Sequence, residues 1–157
     1  MSAFEGCPGS SMQDFRSKNG EVKEDTGRRE SHLRQWPIQL HLVSPEAPYY
    51  QKADVLLSAD CVAYTVGDFH KDYLKGKSVA IACPKLDEGQ DEYVEKIKSL
   101  IDDAKINTLT VMIMQVPCCG GLVAMAEQAL HSAKRKVPVK SIVVSLQGDI
   151  LSEHWVT

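Results

Sequence analysis

Five short apolar runs, at positions 38–43, 55–59, 78–83, 108–116 and 141–146, constrain the fold of this chain more than any other feature. They are rich in Val, Ile and Leu, and several are apolar almost throughout. A strand buried on both faces reads this way, because neither face is left for polar side chains. Between the third and fourth runs, Tyr93, Val94, Ile97, Leu100, Ile101 and Ala104 recur at the spacing of one helix face. Leu122, Val123, Ala126, Ala129, Leu130 and Ala133 repeat that spacing between the fourth and fifth. A shorter helix, about residues 68–75 and stopped by Gly76, fits between the second and third. Strands alternating with helices imply right-handed crossovers. The expected fold is therefore α/β: a three-layer, mostly parallel open sheet of about five strands with helices on both faces. The first connection, residues 44–52, is short for a parallel crossover, which leaves the first strand's direction open. Gln147-Gly148-Asp149 predicts a turn into a short terminal hairpin.

Residues 1–35 differ from the rest. They alternate basic with acidic side chains, carry several Gly and Ser, and show no apolar periodicity. The organisation expected is a flexible or fold-back N-terminal tail over 1–35 and an α/β cysteine-site domain over 36–157. The formal net charge of −3 argues against a nucleic-acid partner, since phosphate binding needs a basic face. No apolar run approaches the roughly 18 residues of a membrane span, and the first 20 residues lack a secretory signal's apolar segment. A cytoplasmic location follows as the expectation. In that compartment five cysteines point to metal binding or catalysis rather than to disulfides.

Ligands of open α/β sheets bind outside the carboxyl ends of the strands. Cys61 follows the second predicted strand, Cys83 closes the third, and Cys118 and Cys119 follow the fourth and open the next helix. A helix N-terminus favours thiolate, the metal-binding form. Gly120 and Gly121 at that helix start would let backbone N–H groups approach an anionic centre. All-sulfur ligation suits zinc or an iron–sulfur cluster. Structural zinc usually takes closely paired cysteines, whereas 21 and 34 residues separate the first three here and none separates the last two. That pattern favours a cluster, which accepts ligands from well-separated loops. Buried unligated thiols and a vicinal Cys118–Cys119 disulfide are the alternatives.

Other residues near that edge have two readings each. His70 could be a ligand or proton donor, or a helix-surface histidine; His41 reads as a strand histidine. Asp60 and Asp87 could orient the thiols through hydrogen bonds, or cap loops. Tyr49, Tyr50 and Tyr64 could wall the site, or pack in the core. No Gly-x-Gly-x-x-Gly, phosphate-loop or Gly-x-Ser-x-Gly signature is present.

Several motifs together carry a resemblance, over about residues 31–151. They are the run from Leu33 to Leu42 (Leu-Arg-Gln-Trp-Pro-Ile-Gln-Leu-His-Leu), Ala59-Asp60-Cys61, Gly67-Asp68-Phe69-His70, Cys83-Pro84-Lys85-Leu86-Asp87, and Val116-Pro117-Cys118-Cys119-Gly120-Gly121. The chain resembles the C-terminal domain of ferredoxin-linked iron–sulfur cluster-binding proteins of anaerobic microbes. Those proteins carry an N-terminal ferredoxin domain with two four-iron clusters. No Cys-x₂-Cys-x₂-Cys motif occurs here, so the similarity is to the second domain alone, and a separate ferredoxin or other redox protein would be the partner. Gly6-Cys7-Pro8-Gly9-Ser10 is similar to the segment joining the two domains, which makes Cys7 a candidate extra ligand or cap. A weaker similarity links Cys83 and Cys118-Cys119-Gly120 to the cysteine-rich modules of heterodisulfide reductases, although the later Cys-x₂-Cys of those modules is absent.

The expectation is an iron–sulfur cluster, of the four-iron type or a variant, held by Cys61, Cys83 and Cys118 or Cys119, with a redox and electron-transfer role. Two alternatives stand beside it: a cluster-dependent enzyme acting on a small sulfur or thiol species, and a zinc-stabilised interaction module. An exposed edge strand would permit a homodimer.

Overall fold

The computed structural model describes residues 12–14, 16 and 27–156. Cys7 and its Gly-Cys-Pro-Gly-Ser run lie outside the described residues. Among the described residues there are seven strands: β1 (Gln13–Asp14), β2 (Gln35–Trp36), β3 (Asp54–Ala59), β4 (Ser78–Ala82), β5 (Thr108–Met114), β6 (Val139–Val144) and β7 (Ile150–Trp155). Three α-helices of the same residues join the later strands: α1 (Val62–Thr65), α2 (Gln90–Asp102) and α3 (Gly120–Ser132). The main sheet has the order β4-β3-β5-β6-β7. β4, β3, β5 and β6 are parallel neighbours, and β7 returns antiparallel to β6. The protein is thus the expected three-layer α/β fold.

The four parallel strands are where the apolar runs predict them, because both their faces are covered. Val55 to Ala59 and Leu109 to Met114 are buried without a break. α2 turns Tyr93, Val94, Ile97, Leu100 and Ile101 inward, and α3 turns Leu122, Met125, Ala126, Ala129 and Leu130 inward. The two helices pack on each other, so they share one face of the sheet. Each fully buried Leu or Ile contributes about 1.5–3 kcal/mol relative to exposure. α1 lies against β3 and β5.

Two predicted elements differ. Residues 38–43 do not form a strand. They make one parallel bridge, Gln39 to Ile81, along the outer edge of β4, and then turn. The Gln39 carbonyl accepts from the Leu42 and Val43 N–H groups, and the Gln39 side chain accepts from the His41 N–H at 2.6 Å. The turn is held from outside by the Lys96 ammonium, which donates to the carbonyls of Leu40, His41 and Val43 at 2.9, 2.7 and 3.0 Å. The predicted 68–75 helix is also different. The β3–β4 crossover holds the single turn α1 and a π-helical turn, His70–Leu74, with Gly76 at φ +77° after it.

The described part of the N-terminal segment folds back on the domain. β1 pairs antiparallel with β2. Arg29 pairs with Asp68 at 2.9 Å, and the His32 N–H donates to His70 Nδ1 at 3.0 Å. Gln35 is fully buried. Its amide nitrogen donates to the Pro37 and Val79 carbonyls and to the Tyr50 hydroxyl, while its oxygen accepts from the Val79 N–H at 2.7 Å. A buried amide with all these partners met locks this segment to β4.

Candidate metal centre

Strand order reverses beside β3: the chain steps from β3 outward to β4, then back across to β5 on β3's other side. The crevice at the carboxyl ends of β3 and β5 is the topological switch point, the usual ligand site of such sheets. Cys61 stands at the β3 side of it, two residues past the strand and directly before α1. Cys118 and Cys119 stand at the β5 side, in a 3-10 turn, Pro117–Cys119, that runs straight into α3. Pro117 sets that turn, and the Cys119 N–H closes it on the Val116 carbonyl at 3.1 Å.

These three thiols are brought together. Burial pushes the Cys119 thiol up from its ordinary value, a backbone hydrogen bond at Met114 offsets part of that, and Cys118 and Cys61 push it further up. β3 and β5 are adjacent parallel strands, so the loops carrying Cys61 and Cys118–Cys119 leave the sheet side by side, and negative charge on either neighbour opposes ionisation of Cys119. Cys61 and Cys118 are exposed, and Cys119 is buried. A group that takes thiolates as ligands relieves that repulsion.

Cys83 lies on the adjoining loop after β4. Its N–H donates to Asp87 Oδ2 at 2.9 Å, and its sulfur accepts the Leu86 N–H at 3.4 Å. The two loops touch: a Cβ on Gly121 would stand 3.1 Å from Pro84 Cβ. Gly121 is thus required for this close approach, while Gly120 faces open space.

Asp87 organises the Cys83 loop. Besides the Cys83 N–H, its Oδ2 accepts from the Gln39 amide at 3.1 Å and from the Tyr93 hydroxyl. Tyr93 is raised above its ordinary value, chiefly by burial and then by the Asp87 hydrogen bond. Asp60 is also raised, by burial and by the charge of Asp87, and its buried Oδ1 has no hydrogen-bond partner. Gln39 and Tyr93 were not singled out by their sequence context. The available signal was Gln39, one of two polar residues, with His41, in the 38–43 run.

The remaining candidates fall elsewhere. Tyr49 and Tyr50 do not wall the site. Both are fully buried, and they sit at the amino end of β4, where the Tyr50 hydroxyl donates to the Val79 carbonyl at 2.8 Å and Ser78 Oγ donates to the Tyr49 carbonyl. Tyr64 is at the thiol edge but 94% exposed. His70 is tied to the N-terminal segment through Nδ1, and burial lowers its proton affinity. His41 packs against the Tyr93 ring with centroids 4.1 Å apart and reaches the Glu88 carbonyl through Nε2 at 2.6 Å.

A four-coordinate zinc ion needs its sulfurs at about 2.3 Å from one point. Among the described residues, no group of three or more His, Cys, Asp or Glu side chains is set to hold a single metal ion. Cys61, Cys118 and Cys119 are soft donors on separate loops after β3 and β5, and iron–sulfur clusters take donors of that chemistry.

A family model described as a Rossmann-like domain matches residues 47–157. The chain belongs to that family. An uncharacterized protein of Archaeoglobus fulgidus is 30% identical to this Rossmann-like domain protein over 120 residues, which cover 75% of this chain and 82% of the relative. No solved structure matches it. Where dinucleotide-binding versions of such sheets carry a glycine-rich phosphate turn after the first strand, this Rossmann-like domain reads Ala59-Asp60-Cys61-Val62, with no glycine before Gly67. Among the described residues no helix is long and apolar enough to cross a membrane.

Proposed function

We propose that this Rossmann-like domain binds an iron–sulfur cluster at its switch-point crevice and exchanges electrons with a redox partner protein. The observation that carries the reading is the grouping of Cys61 with Cys118 and Cys119 from two strand ends that are far apart in sequence. Cys61, Cys118 and Cys119 supply thiolates, and Cys83, held by Asp87, supplies a fourth from the neighbouring loop. When bound, the cluster provides one-electron chemistry. The chain's own contribution is to orient the sulfurs. Asp87, Gln39 and Tyr93 fix the Cys83 loop, Pro117 fixes the Cys118–Cys119 turn, and the α3 N-terminus favours negative charge beside it. Cys61 and Cys118 are exposed, so the site is also open to small molecules. That exposure favours, as a second reading, an enzyme acting on a small thiol or sulfur species.

Thiol footprinting tests the proposal. The apo protein, handled anaerobically, is loaded with ferrous iron and sulfide, treated with iodoacetamide, and mapped by peptide. Loading is expected to slow alkylation of Cys61, Cys83 and Cys118 by at least about tenfold, as metal coordination removes the free thiolate. Equal alkylation with and without loading contradicts cluster binding. Equal protection by zinc alone, with no visible colour from iron and sulfide, supports the zinc-stabilised module instead. Turnover of a small thiol by the loaded protein supports the enzyme.

A further inference from the structure

The three most exposed large apolar side chains of the described residues all stand at the thiol edge. Tyr64 is 94% exposed, Leu86 79% and Leu146 64%. Tyr64 comes three residues after Cys61, and Leu86 three residues after Cys83. Leu146 sits on the β6–β7 turn, where its N–H donates to Gln115 Oε1 at 2.8 Å, just ahead of Cys118. Contacts between loops close these segments into one rim. Pro84 abuts Gly121, and Gly148, at φ +91°, leaves its missing Cβ only 2.5 Å from the Thr65 carbonyl oxygen. Gly148 is held there because any side chain would meet backbone. Exposed apolar groups scattered singly need no explanation, but a set gathered around one site marks a docking surface.

The charge on the same loops is lopsided. Residues 60–65, 83–89, 115–121 and 145–149 contain the exposed carboxylates Glu88 and Asp149 and the part-buried Asp60 and Asp87, against the single ammonium of Lys85. A second copy of this chain would therefore meet like charge across the rim. A partner with a basic ring around an apolar centre meets it with opposite charge.

We propose that the rim of Tyr64, Leu86 and Leu146 is the docking surface for an electron-carrier protein whose own redox group lies at an apolar patch ringed by basic residues. The inference rests on the cluster reading above and names the partner of that site. Docking on the rim covers the exposed Cys61 and Cys118 and brings the partner's redox group next to them. One electron leaves the reduced protein and one ferric centre of the partner becomes ferrous. Apolar contact sets the dwell time, and the acidic loops steer the encounter.

Cytochrome c, a basic haem protein, serves as the probe. The iron-loaded full chain is reduced with dithionite, desalted, and mixed with ferric cytochrome c in a stopped-flow instrument, with ferricyanide as a small-molecule oxidant in parallel. The second-order rate with cytochrome c is expected to fall with rising salt, and to fall at least about tenfold in a Tyr64→Ser, Leu86→Ser, Leu146→Ser triple variant. Glu88→Lys with Asp149→Lys should flatten the salt dependence. Iron content and the ferricyanide rate should stay within about twofold of wild type in both, which separates docking from cluster assembly. Iron present but rates unmoved by these variants overturns the docking surface while leaving the cluster reading intact. Dimerisation of the wild type that the triple variant abolishes assigns the rim to a second copy and overturns the proposal. Absence of iron from the wild type removes the cluster reading, and this inference with it.

Discussion

Cys119→Ser is expected to reduce retained iron in the anaerobically loaded protein to less than about a tenth of the wild-type amount. Cys119 is the buried member of the thiol group, seated where β5 gives way to α3, and it feels both Cys118 and Cys61. Loss of even an outer partner of a metal site typically costs about 10–100-fold in affinity, and here an inner ligand is replaced by a poorer one. The substitution is nearly isosteric, so the apo protein should keep its fold. The same raised thiol also sets a pH dependence. Cys119 must lose its proton to act as a ligand, so loading should weaken as pH falls below neutrality and strengthen above it. Iron per chain, measured after desalting, checks both. Wild-type iron retained by Cys119→Ser contradicts its placement as a ligand.

Lys96→Met is expected to destabilise the protein by about 3 kcal/mol. Hydrogen bonds from a charged donor contribute about 1.5–3 kcal/mol each, and Lys96 makes three, to carbonyls that accept from no other backbone N–H among the described residues. Lys96 is half-buried, and desolvation lowers its proton affinity, which discounts the sum. For a chain of this size the change corresponds to a drop in Tm of roughly 6–12 °C. The loss should also reach the site, because the turn it releases carries Gln39, a partner of Asp87 and Tyr93. Alkylation of Cys83 should speed up in the apo variant while that of Cys119 stays near wild type. A urea midpoint shift worth less than about 1 kcal/mol would show that water or another donor serves those carbonyls equally well.

The parallel strands were readable because burial on both faces leaves no polar positions, and α2 and α3 because each presents one apolar stripe. The placement of Cys61, Cys118 and Cys119 at one edge followed from the same reading, since strand ends fix where the loops emerge. What the sequence could not show was pairing over long separations. The run at 38–43 is apolar enough for a strand, yet Leu42 is exposed, and the chain turns because Gln39 accepts from its N–H groups and the distant Lys96 donates to its carbonyls. Nothing local distinguishes that outcome from a strand. The loop position of Tyr49 and Tyr50 is compatible both with a wall at the thiols and with the core. Their distance from the site comes from the Tyr50 contact with Val79, 29 residues away in the chain. The sequence of the short crossover predicts a single later helix where there are one α-turn and one π-turn, because the interruption at Val66-Gly67 weakens any periodic signal. Asp87 as the organiser of the Cys83 loop depends on Tyr93 and Gln39 meeting it from two other segments.

The central claim is that the switch-point thiols hold iron and sulfide. Its most direct test is the iron and acid-labile sulfide content of the full chain purified without oxygen, read together with its visible spectrum before and after dithionite. The account predicts iron and sulfide in roughly equal amounts and a broad brown absorbance that bleaches on reduction. Zinc or no metal, no sulfide, and a colourless protein under those conditions would contradict it.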